Sequence, residues 1–66
     1  MYKKVKRYME YINRVLESGG NVVAFGVDST REEIDAVKQE LSEIGYKCYE
    51  RHDVMTDTIE VFMTQS

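Results

Sequence analysis

Cys48 and His52 are the only thiol and the only imidazole in this chain. If both sat on one strand, four residues would hold them about 13 Å apart, far beyond the ~3 Å that a nucleophile and its base require. Cys48 therefore reads as a small buried hydrophobe and His52 as a surface residue at a strand end. His52 and Asp53 are sequence neighbours, so on an extended segment their side chains should diverge. A structural zinc needs about four ligands, usually Cys or His, and two are available. We expect no catalytic residue, no metal site and no cofactor.

Gly26-Val27-Asp28-Ser29-Thr30 leads from an apolar run towards a helix start, the place where phosphates bind. It has a single glycine and no lysine at the Walker position, and Asp28, Glu32 and Glu33 would repel an anion. Those carboxylates could attract Mg²⁺ or Ca²⁺, but acids belong in a first helical turn for dipole reasons alone. Helix capping accounts for the whole segment.

Lys47, Tyr49, Arg51 and Phe62 form the more informative group, with Val22 beside them. Basic and aromatic side chains alternating on an open sheet can stack and neutralise single-stranded RNA or DNA. The Gly-Phe/Tyr-Gly/Ala-Phe pattern of the commonest RNA-binding sheets is absent, and Glu60 falls inside the patch. The same rings buried against protein are the favoured alternative. The interface residues expected are thus Val22, Lys47, Tyr49, Arg51 and Phe62.

These positions depend on five elements. A first helix over 3–18 is predicted from Val5, Tyr8, Met9, Ile12, Val15 and Leu16, which fall within about 120° of one face. Ser18-Gly19-Gly20 should end it. Asn21 to Val27 is apolar and β-branched, too short for a helix, and reads as a strand with Val23, Phe25 and Val27 facing inwards. Thr30 and Glu33 have the spacing of a capping box and open a second helix over 30–44. Ile34, Val37, Leu41 and Ile44 recur on one face of it until Gly45. Strands are expected over 46–52 and 57–64, joined by a loop of four or five residues. In the last, Ile59, Val61 and Met63 alternate with Thr58, Glu60 and Phe62.

The order α-β-α-β-β makes the first two strands parallel in direction, with the third between them. The fold class expected is α+β, a three-stranded mixed sheet of order 1-3-2 with both helices on one face. This is the split β-α-β arrangement, half of a ferredoxin-like fold. Tyr46 and Cys48 should face the helices with Ile59, Val61 and Met63. The opposite face should show Val22, Ala24, Lys47, Tyr49, Arg51, Glu60 and Phe62. Ile34, Val37, Leu41, Phe25, Ile59, Val61, Val5 and Ile12 should be nearly buried.

The chain has 66 residues, one domain's worth, and a net charge of −3. A chain so short buries only about 60% of its unfolded surface, and a lone cysteine rules out an internal disulfide. Self-association is the remaining common source of stability, so a homodimer or another protein partner is expected. Charge is unevenly spread. Residues 1–18 balance at +3, with Lys3, Lys4, Lys6, Arg7 and Arg14 against Glu10 and Glu17, whereas residues 19–44 balance at −4. The two helices are expected to neutralise each other across a shared edge, or else the basic one meets a partner. Basic residues at the start of a helix oppose its dipole, which hints at a use for them. With an unpaired cysteine, no signal-like apolar core and no membrane span, a cytoplasmic protein without membrane contact is expected. The function that follows is a small non-catalytic protein-binding or oligomerising module acting through the open sheet face and the basic first helix.

Overall fold

The computed structural model describes residues 3–65. Helix α1 spans Lys3–Glu17, strand β1 Val22–Phe25, helix α2 Arg31–Glu43, strand β2 Tyr46–Asp53 and strand β3 Thr58–Gln65. The sheet order is β1-β3-β2. Both ladders are antiparallel, so the sheet is not mixed in its hydrogen bonding. β1 and β2 do run in the same direction, but β3 lies between them and they never pair.

α1 ends where its glycines allow a reversal. Gly19 takes φ +88°. Its N–H donates to the Leu16 carbonyl at 3.1 Å, and Gly20 N–H donates to the Val15 carbonyl at 2.8 Å. These paired bonds are a Schellman motif, which satisfies carbonyls that the last turn leaves open. A Cβ at Gly20 would stand 2.6 Å from Val15 Cγ1, so the close approach there needs a residue without a side chain.

α2 begins as its sequence dictates. Glu33 N–H donates to Thr30 Oγ1 at 3.1 Å, and Thr30 N–H donates to Glu33 Oε1 at 2.8 Å. This reciprocal capping box contributes about 1 kcal/mol. Glu33 is buried in the process.

Val5 and Ile12 of α1, Ile34, Val37 and Leu41 of α2, and Val23, Phe25, Val61 and Met63 of the strands form one buried cluster. Tyr8, Met9, Val15, Leu16, Tyr46 and Cys48 pack around it. Three expectations need correction. Val27 does not face the core: Ser29 N–H donates to the Gly26 carbonyl, the chain turns there, and Val27 is left 81% exposed. Ile59 is only half-buried, because it lies level with Phe25 at the hairpin end of the sheet and is flanked on β2 by exposed His52. Ile44 is the C-cap of α2 rather than part of its apolar stripe, and is exposed.

Candidate functional site: the outer sheet face

The register decides which outward side chains meet. Val22 stands opposite Phe62, and Phe62 opposite Tyr49, so one residue from each strand forms a row across the sheet. The adjoining row is Ala24, Glu60 and Arg51. Lys47 stands opposite Thr64. All five residues singled out from the sequence thus share one face, because they alternate with the buried Val23, Val61 and Met63 on the pleat. Directly opposed pairs are close enough for their side chains to touch.

This face is apolar at its middle and charged around it. Tyr49 is 58% exposed and Val22 37%, and Phe62 is half-buried. Arg51 Nη2 lies 2.6 Å from Glu60 Oε1, and its Nε donates to the same oxygen at 2.8 Å. The guanidinium also lies 5.8 Å from the centre of the Phe62 ring, within cation–π range. Arg51 therefore has two partners already. Lys47 has no ion pair among the described residues.

The other face of β2 carries a second network. Arg31 Nη2 bonds Glu50 Oε1 at 2.8 Å, and Lys38 Nζ bonds Glu50 Oε2. The hydrogen bonds from Arg31 and then Lys38 hold the Glu50 carboxyl down at about 2. The expected neutralisation of α1 by α2 is absent: no ion pair joins the two helices among the described residues. α2 uses Arg31 and Lys38 to fasten β2, and the α1 cations face solvent.

Cys48 is half-buried, and burial pushes its thiol above the ordinary value, which disfavours the thiolate. His52 Nε2 lies 3.1 Å from Asp57 Oδ1. Residue spacing alone gives no sign of that pairing across the hairpin. It arises because β3 returns directly beside β2 after a four-residue turn in which Asp57 adopts φ +51°. No group of three or more His, Cys, Asp or Glu able to hold a metal occurs among the described residues. No helix among them is long and apolar enough to cross a membrane.

Comparison with protein-family models, curated proteins and solved structures finds no match.

Proposed function

We propose that this chain is a single-domain, non-catalytic protein-binding module whose outer sheet face associates with a second copy of itself or with another protein. In this reading both helices cover the inner face in a split β-α-β arrangement, half of a ferredoxin-like fold. The continuity of the buried cluster from α1 through α2 to Val61 supports that placement. The outer face is then uncovered. The observation that carries the proposal is the Val22–Phe62–Tyr49 row, an apolar strip crossing all three strands with charged side chains at its margin. Aromatic anchors ringed by polar groups are the usual centre of a protein interface. A cytoplasmic location fits the unpaired thiol.

Binding of single-stranded RNA or DNA through Lys47, Tyr49, Arg51 and Phe62 is the competing reading. It is the weaker one, because Glu60 neutralises Arg51 and the guanidinium covers one approach to the Phe62 ring. Light scattering on a sizing column separates the two. The intact chain should run at twice its mass, or else retain a protein partner in a nuclease-treated pull-down, and Phe62→Ala should abolish whichever is seen. A monomer that retains no protein and binds oligothymidylate with steep salt dependence would favour the nucleic-acid reading instead.

A further inference from the structure

β1 is an edge strand of four residues, and its outer side is unpaired among the described residues. The hydrogen bond from Met63 N–H to the Asn21 carbonyl, at 2.8 Å, sets the phase of the β1–β3 ladder. In that phase Val23 and Phe25 bond inwards to β3, and the N–H and C=O groups of Val22 and Ala24 point away from the sheet. An alternating donor and acceptor row of this kind is matched best by another extended backbone.

α1 roofs this edge. Tyr8, Tyr11 and Ile12 of the helix, residues 23–25 of the strand, and Gly26, Asp28 and Ser29 enclose a cleft of about 220 Å³. That is smaller than the ~300–1,000 Å³ of small-molecule sites, and suits one large apolar side chain. Its walls are fixed: the Tyr8 ring meets Phe25 edge-on at 5.1 Å, and the Tyr8 and Ser29 hydroxyls bond at 2.9 Å. Tyr11, 59% exposed, forms the lip. At 100° per residue Lys4, Arg7 and Arg14 lie within about 60° of Tyr11 on the helix surface. None of the three has an ion pair among the described residues. Lys4 donates to the Asp28 carbonyl, at 3.0 Å.

We propose that the β1 edge and the Tyr11 flank of α1 form a groove that takes an extended acidic segment of another protein as a fourth strand, with one aromatic or large aliphatic side chain in the cleft. Charge selects this occupant, because Lys4, Arg7 and Arg14 along the flank outnumber Asp28, the acid in the cleft wall. Two copies pairing through β1 would set two basic α1 flanks side by side and repel. A nucleic acid satisfies the cations but offers no backbone that matches alternating N–H and C=O groups. This surface is separate from the outer sheet face and does not depend on it.

The test is an amide NMR titration of the intact chain with the blocked peptide Glu-Thr-Glu-Thr-Phe-Thr-Glu-Thr-Glu. Shifts should centre on Val22, Ala24 and Tyr11. Methylating alternate peptide amides should abolish binding in one of the two possible phases and spare it in the other. The double change Tyr11→Ala with Arg7→Glu should weaken binding about tenfold, with helical circular dichroism unchanged. Phe62→Ala should leave it unaltered, which separates this groove from the sheet-face reading. Equal binding of the peptide with Lys in place of Glu would overturn the proposal. So would absence of any shift at millimolar peptide, shifts centred on Tyr49, indifference to both methylated forms, or tighter binding of oligothymidylate at the same residues.

Discussion

α2 opens on a capping box with Glu32 and Glu33 in its first turn, and its two cations are tied to Glu50 of β2. α1 is of similar length but opens without an acid, on Lys3, Lys4, Lys6 and Arg7, and none of its cations forms an ion pair among the described residues. Their inner faces are alike: each buries aliphatic side chains completely in the same cluster. The contrast is therefore confined to the outer surfaces. α2 ties both of its cations to β2. α1 leaves its charge facing outwards, at some cost to its own helix dipole, and it is α1 that borders the open β1 edge.

The largest effect probes the claimed likeness of the inner faces. Leu41→Ala in α2 and Ile12→Ala in α1 should each lower stability by about 2–5 kcal/mol in urea unfolding, since both side chains are wholly buried. In a domain this small that loss leaves much of the population unfolded. If Ile12→Ala cost under about 1 kcal/mol, α1 would be an appendage and the comparison would fail.

A smaller effect concerns the two cations that α2 ties to β2. Glu50 has a folded-state value of about 2, held below the ordinary 4.5 by Arg31 and Lys38. A depressed carboxyl contributes stability that is complete above about pH 4.5 and is lost as pH falls towards 2. With the solvent exposure of this network discounted, the amount is about 1–2 kcal/mol. Glu50→Gln should remove most of that acid-range dependence from melting curves taken between those pH values. A variant whose acid profile overlays that of the parent chain would mean the network is too well solvated to matter.

The smallest effect addresses α1. Lys3→Glu puts an acid where the helix dipole favours one and should raise stability by about 0.3–1 kcal/mol. Glu32→Lys in α2 should lower it by a like amount. A destabilised Lys3→Glu variant would show that the basic start of α1 serves the fold, and the contrast between the helices would disappear.

Helix ends were legible because they rest on local chemistry. Thr30 and Glu33, or Ser18-Gly19-Gly20, need only their own neighbours to form a cap. That Val22, Lys47, Tyr49, Arg51 and Phe62 share one sheet face is legible too, since side-chain alternation has a period of two and they fall together once the strand order is right. Val27 lies outside the pattern because the Gly26–Ser29 turn takes the chain out of the sheet two residues sooner than apolarity suggests. Ile44 fits the spacing of the α2 stripe, although the helix has already ended there.

By itself, the sequence determined the element order, the caps and, apart from Ile44 and Val27, the stripe of each helix and the two sides of each strand, all of which depend on contacts within a few residues. Only the tertiary structure decided who meets whom. The capture of Glu50 by α2, the His52–Asp57 pair and the cleft between Tyr11 and β1 each join residues from separate elements or across the hairpin. Partners of that kind are fixed by register and by which helix flank lies over which strand. Composition and periodicity carry neither, because many registers satisfy the same apolar pattern and only packing of the whole chain selects one.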